Sequence, residues 1–294
     1  MNRIGIDLGG TKIEGIVLDE SGNELFRKRI PTEQENGYDH ILQNIKTLYS
    51  ELTDHSQGTE HTLGIGTPGA VSSRTGQLKN SNTECLNGMP FKDDLEKKIG
   101  RPFRIYNDAN CFAMAEALFG AGKGKDVVFG VIMGTGCGGG IVYHESVVNG
   151  LQDIGGEWGH MSIDPDGPDC YCGNKGCVET FISGGGMERM FREKHGSEKK
   201  LADIVGAFRS GDPVCTEFMA VFFRNFGRSM ANLITILDPD VIVLGGGLSN
   251  IDELYTQGVE EVKRFVFSDS LETPIIKNQL GDSAGVLGAA LIGV

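Results

Sequence analysis

The feature that most narrows the folds open to this 294-residue chain is a repeat. "IGIDLGGTKIEGIVLDESG", from Ile4, and "GVIMGTGCGGGIVYHESVV", from Gly130, share one plan. Each is a strand, a glycine turn carrying a threonine, a second strand, and an acidic–serine turn. A supersecondary unit that returns in this way implies two similar halves.

The residues around the repeats fill in an α/β pattern. Ile4, Ile6 and Leu8 alternate with Gly5 and Asp7, the spacing of a short buried strand. "KIEGIVLD" and "ELFRKRI" continue as strands, and Ile41, Leu42, Ile45, Leu48 and Leu52 fall at helical spacing. "HTLGIGTPG" is a strand running into a turn, "FKDDLEKKI" a helix, "FRIY" a strand, and "DANCFAMAEALFG" a helix closed by Gly120. In the second half "VVFGVIM" and "IVYHESVV" are strands flanking the turn "GTGCGGG". A helix from about Thr216 to Leu237, the strand "DVIVLGGG", a helix near Ile251 to Phe265 and a final helix "SAGVLGAALI" follow. Strands alternating with helices predict an α/β architecture. The boundary is expected near residue 118, giving a smaller lobe over 1–118 and a larger one over 119–294. The last helix is placed back on the N-terminal lobe.

Composition excludes several classes. Lys+Arg 27 against Asp+Glu 40 gives a formal charge of −13, which disfavours a broad nucleic-acid or anionic-membrane surface. No apolar run reaches membrane-spanning length, and "MNRIGIDLGG" enters a strand at once without a leader pattern. Seven cysteines, an odd number, fit a reducing cytoplasm better than a disulfide scaffold.

The glycine turns carry the first chemical argument. "GTGCGGG" matches G-x-G-x-x-G at Gly134, Gly136 and Gly139, with Glu157 18 residues beyond. A dinucleotide fingerprint must open a helix, whose N-terminus holds the pyrophosphate. These glycines lead instead into β-branched "IVYHESVV", so a nicotinamide cofactor is rejected. Lys123 is followed by Gly124 where a P-loop needs Ser or Thr. What remains is a pair of hairpin turns, "DLGGTK" and "GTGCGGG", whose backbone N–H groups can approach phosphates closely. Thr11, Lys12 and Thr135 add donors, and "LGGGLSN" offers a side-chain-free floor for a base or ribose.

"YNDAN" sets Asn107 and Asp108 between a strand and a helix. Either residue suits a helix cap. Asp108, at the carboxyl end of a strand, is also placed to accept the proton of an attacking hydroxyl in phosphoryl transfer. Asp7 is suited to hold Mg²⁺, directly or through water.

"HMSIDPDGPDCYCGNKGC" spaces His160, Cys170, Cys172 and Cys177 as H-x9-C-x-C-x4-C. A Cys₃His set has the number and softness of ligands for a closed tetrahedral Zn²⁺ site. With four protein ligands no position is left for zinc-bound water, so the metal is structural and the chemistry falls to Asp108 and Mg²⁺. Such a zinc would hold Glu157, His160 and Glu179 near one another, suitable partners for a polyhydroxylated ligand.

Over essentially its whole length the chain resembles the ROK family (repressors, open reading frames, kinases) of bacterial sugar kinases. "DLGGTK", "GTPG", "NDAN", "GTGCGGG", "GEWGH", "CYCGNKGCVET" and "LDPDVIVLGGG" stand in that family's order. The resemblance implies an actin-like (ribonuclease H-like) two-lobe ATPase fold with a duplicated core and a zinc-bound loop, a hinged cleft and a homodimer. By position, Asp108 matches the catalytic base. Gly69, Asn82, Asn107, Glu157, His160 and Glu179 match sugar contacts, with His160 using one ring nitrogen for zinc and the other for sugar. Asp7, Gly9, Gly10, Thr11, Gly134, Thr135 and Gly136 match the phosphate turns, and Gly245, Gly246 and Gly247 the adenosine site. Cys137 and Trp158 are given no chemistry.

"LKNSNTECLNGMPF", "CYCG", "ETFISG" and "FVFSDSLETPIIKNQLGDSAGVLGAA" look most like the fructokinase (manno-fructokinase) branch. The expected activity is therefore ATP-dependent phosphorylation of the 6-hydroxyl of D-fructose, with N-acetylglucosamine kinase or glucokinase as the alternative. A sugar-responsive transcriptional regulator is disfavoured, because the first phosphate turn begins at residue 7 and leaves no room before it for a helix-turn-helix. Sugar, ATP, Mg²⁺ and structural Zn²⁺ are the expected partners, in the cytoplasm, without nucleic acid or membrane.

Overall fold

The computed structural model describes residues 1–56 and 58–293. In chain order the first elements are β1 (Asn2–Leu8), β2 (Lys12–Leu18), β3 (Glu24–Pro31), α1 (Tyr38–His55) and β4 (His61–Thr67). Then come β5 (Ala70–Val71), β6 (Leu78–Lys79), α2 (Phe91–Ile99), β7 (Arg104–Asn107) and α3 (Asp108–Phe119). The middle holds β8 (Val127–Met133), β9 (Cys137–Tyr143), β10 (Ser146–Val147), α4 (Val178–Ile182), α5 (Gly184–His195) and α6 (Leu201–Arg209). The last are α7 (Pro213–Leu237), β11 (Val241–Gly245), α8 (Gln257–Phe265), β12 (Ile275–Lys277) and α9 (Ala284–Ile292). None of the described helices is long and apolar enough to cross a membrane.

The contacts divide the chain into two units, and the division is not a single cut near residue 118. The first unit is 1–120 with 140–155 and 280–294, and the second is 121–139 with 156–279. The reason is packing: α9 lies against α3, β1 and β4, so the C-terminal residues count with the N-terminal sheet.

The first unit is built on a mixed sheet of order β3-β2-β1-β4-β7. β1 runs antiparallel to β2 and parallel to β4, and β4 parallel to β7. Alternation in β1 sends Ile4, Ile6 and Leu8 into a core with Ile41, Ile45, Leu48 and Leu52 of α1. The opposite face of the sheet is flattened. A Cβ on Gly5 would collide with the backbone of Ala290, and one on Gly64 with the Ala289 carbonyl. Those two glycines let α9 lie directly on the strands, where Val286 and Ala290 cover Ile16 and Leu18.

A second sheet has the order β10-β9-β8-β11-β12, with β8, β11 and β12 parallel. The order repeats that of the first sheet: a three-stranded meander, then two further strands on the side of its first strand. This mixed α/β topology is consistent with the actin-like fold that the resemblance implies. In the second unit α7 packs on α4, α6 and α8. α7 starts at Pro213, earlier than periodicity indicates, because Asp212 caps it by accepting the Cys215 N–H at 2.8 Å.

The expected strand "IVYHESVV" is instead a hairpin. β9 begins at Cys137, inside the glycine run, and ends at Tyr143; His144 and Glu145 then turn the chain at φ 44° and 59° into β10. Glycine is a poor strand former in isolation, but here neighbours exclude a side chain: Trp158 packs against Gly139, and α3 against Gly140.

Candidate active site

In the first unit the residues gather around the ends of β1 and β7. Asp7, on the α9 face of β1, is paired in register with Glu14 of β2. Glu14 is buried and ion-paired to Arg27 at 2.6 Å and Arg29 at 2.8 Å, and against the push of burial these guanidiniums hold it below the ordinary carboxylate range. Asp7 has no such relief. Burial first, then the charges of Asp108 and Glu14, raise its pKa to about 7, with Lys12 and Arg29 acting weakly the other way.

This shift has a stability consequence. The folded state favours protonated Asp7, so stability falls as pH rises from about 4 to about 7 and stays lower above that. Asp7→Asn removes the cost of ionisation. At about 1.4 kcal/mol per pKa unit, the ligand-free variant is expected to be more stable than the parent at pH 8 by on the order of 4 kcal/mol, the gap closing toward pH 4. Urea denaturation at the two pH values reads it. A constant gap would show that Asp7 does not carry the shift.

The first glycine turn follows directly. Gly9 N–H donates to the Lys12 carbonyl at 2.9 Å, and Thr32 donates its Oγ1 to Gly9 O at 2.6 Å and its N–H to Thr11 O at 3.0 Å. The turn carbonyls are thus tied down, while Gly10 and Thr11 lie outside the strand ladder. Asn82 and Thr83 come up beside Gly10, and Gly69 turns the chain between β4 and β5.

Asn107 caps α3, its Oδ1 accepting the Asn110 N–H at 2.8 Å. Asp108 is the first helical residue, exposed, with Oδ1 accepting the Ala109 N–H at 2.8 Å. The capping role available to either residue therefore falls to Asn107, and the carboxylate of Asp108 remains at the surface.

In the second unit, Gly134 N–H donates to Gly136 O at 2.9 Å to close the second turn. The start of α5 grips that turn: Gly184 N–H donates to Gly134 O at 2.8 Å and Gly185 N–H to Thr135 O at 3.1 Å. Glu179 of α4 accepts the Cys137 N–H at 2.8 Å, which fixes its carboxylate beside Gly136. Trp158 donates Nε1–H to Gly138 O at 3.0 Å, anchoring the 3-10 turn that carries Glu157 and His160. Gly245 ends β11, and Gly246 and Gly247 lead into a second 3-10 turn.

One ring nitrogen of His160 and the sulfurs of Cys170, Cys172 and Cys177 all lie within 4.8 Å of one another. Cys170 Sγ is 3.7 Å from His160 Nδ1, and Cys172 Sγ 3.6 Å from Cys177 Sγ. Tetrahedral zinc with its usual bond lengths sets ligand separations of about 3.5–3.8 Å, so the donor set fits that ion. The chain is bent to this purpose by Gly176, at φ 60°, where a Cβ would strike the Asp164 carbonyl. His160 Nε2, the nitrogen expected to face a sugar, is here 3.0 Å from the Tyr171 hydroxyl.

The family model described as "ROK family" matches residues 3–293. The chain belongs to the ROK family.

Among ROK proteins it is 38% identical to the N-acetyl-D-glucosamine kinase of Aliivibrio salmonicida, over 99% of each chain. The crystal structure of a ROK hexokinase from Thermus thermophilus superposes with a TM-score of 0.90 at 32% identity, covering 99% of this chain and 97% of that one. A ROK family glucokinase from Streptomyces griseus, solved with glucose and AMPPNP, gives 0.76 at 30% identity over 99% and 98%. The relatives' names do not carry the fructokinase expectation.

The expected sugar contacts divide between the units, Gly69, Asn82, Asn107 and Asp108 in the first and Glu157, His160 and Glu179 in the second. The phosphate turns divide likewise, with Asp7 and Gly9–Lys12 in the first and Gly134–Gly136 and Gly245–Gly247 in the second. Sequence reasoning passed over Tyr171, Arg27 and Arg29. Tyr171 stands inside the cysteine motif and was legible there, whereas the arginines meet Glu14 only through strand pairing.

Proposed function

We propose that this ROK protein is an ATP-dependent sugar kinase that phosphorylates the 6-hydroxyl of N-acetyl-D-glucosamine. Its relatives across nearly the full chain length carry that name, which supports this substrate over fructose. Asp108 accepts the proton of the 6-hydroxyl while the hydroxyl oxygen attacks the γ-phosphate in line. Backbone amides of the two glycine turns orient the phosphates, and Gly245–Gly247 the adenosine. Asp7 would hold Mg²⁺, and the repulsion between Asp7 and Asp108 is what a divalent cation would offset. When bound, that ion neutralises charge developing on the phosphate oxygens. Cys170, Cys172, Cys177 and His160 would hold a structural zinc, which would fix the segment bearing Glu157 and Glu179. Sugar entering at His160 Nε2 displaces the Tyr171 hydroxyl.

The test is Mg²⁺- and ATP-dependent ADP release with N-acetylglucosamine, N-acetylmannosamine, glucose, mannose and fructose. N-acetylglucosamine is expected to give the highest kcat/KM. A preference for fructose would restore the fructokinase reading and leave Asp108 and the turns in their roles.

A further inference from the structure

The Asp7 carboxylate lies in a slot between two glycines, one on each side. Gly66 of β4 is its register partner, and a Cβ there would stand 3.2 Å from Asp7 Oδ1 and 3.1 Å from the Cys111 sulfur. Gly285 is the second residue of α9, which packs on β1. A Cβ at Gly285 would stand 2.7 Å from Asp7 Oδ2, 3.1 Å from its Cγ and 3.4 Å from its Oδ1. Asp7 is half-buried, so the slot is not sealed. All of these residues belong to the first unit.

The helix side of the slot is held in place. Arg27 donates Nη1–H to Ser283 Oγ at 3.0 Å, two residues before Gly285, and Glu116 of α3 accepts the Leu280 N–H at 2.9 Å. One turn further on, Gly288 lies so close to α3 that a Cβ there would strike the Cys111 carbonyl. A helix tied at Leu280 and Ser283 and seated at Gly288 has no room to withdraw. An approach of 2.7 Å is well inside the roughly 3.5 Å of ordinary nonbonded contact, so a methyl group at position 285 must displace something. What gives way is the carboxylate, the one neighbour at that point that can rotate.

We infer that Gly285 is a positioning residue for the metal: its bare backbone, facing that of Gly66, sets where the Asp7 oxygens stand and so how well they hold Mg²⁺. The inference rests on the reading of Asp7 above. It gives the last helix a part in metal binding without any side chain that touches the ion. Neighbours that only orient a ligand still govern affinity, commonly by 10- to 100-fold.

The probe is the β,γ-imido analogue of ATP, titrated calorimetrically with Mg²⁺ present and with EDTA in its place. The factor by which Mg²⁺ tightens binding is expected to fall about tenfold in Gly285→Ala, while the affinities for metal-free nucleotide and for sugar stay at the parent's values. Adding Gly285→Ala to Asp7→Ala is expected to change that factor no further, since no carboxylate is left to displace. The double variant is also expected to fold as Asp7→Ala does, even if Gly285→Ala alone does not, because the methyl then meets no oxygen; that pattern would support the inference. An unchanged factor in Gly285→Ala beside a lost one in Asp7→Ala would overturn it and leave Asp7 as the metal ligand. Equal losses with and without Mg²⁺, or a double variant less stable than Asp7→Ala, would also overturn it. If Asp7→Ala keeps the parent factor, or Mg²⁺ does not tighten binding to the parent, the reading of Asp7 itself fails and the inference with it.

Discussion

Asp108→Asn is expected to lower kcat by roughly 100- to 10,000-fold while the protein still binds sugar and stays folded. The substitution keeps shape and keeps an oxygen for the Ala109 N–H, so the first turn of α3 is preserved. The cap of α3 does not depend on the carboxylate, because Asn107 supplies it. What is lost is a group able to take a proton at the end of β7. Steady-state ADP release gives the rate, and calorimetric titration with sugar gives the affinity. A variant within threefold of the parent kcat would remove Asp108 from the role of base.

The second large effect is on the metal site. Purified protein is expected to contain about one zinc per chain. Cys172→Ser is expected to lower Tm by about 10 °C and to weaken sugar binding with it. Structural zinc supplies on the order of 10–16 kcal/mol of apparent binding energy in small peptides, and at roughly 2–4 °C per kcal/mol even part of that is a large shift. Cys172 makes this a clean test, since it is exposed and its replacement without a metal would change stability by only about 0.5 kcal/mol. Sugar binding is read by the same titration. Zinc-free protein with full activity would overturn the assignment of the four ligands.

Much of this was legible from residue order, for identifiable reasons. The alternation of Ile4, Ile6 and Leu8, the helical spacing of Ile41 to Leu52 and the closure of α3 at Gly120 are local patterns that packing reinforces. The four zinc-type donors were legible because three of them, Cys170, Cys172 and Cys177, lie close together in the sequence. Other elements were not. α5 opens with three glycines, a turn-like beginning, and forms because Ser183 caps it and the Thr135 turn accepts its N–H groups. β12 is three residues long and exists by pairing with β11. The sugar was not legible in the motifs: they led to fructose, whereas relatives across nearly the full length of the chain are N-acetyl-D-glucosamine kinases.

The seam between α9 and the first sheet bears on the order in which this protein can be made. Ile16 and Leu18 emerge early from the ribosome, yet their cover is Val286 and Ala290. At about 5–20 residues per second, roughly 15 to 60 seconds separate the two events. Throughout that interval the strand face that bears Gly5 and Gly64 stays bare, and the first half of the chain must wait for its last helix. One face of the first sheet can thus be closed by chain made early, over Ile4, Ile6 and Leu8, while the other is closed only by the chain made last.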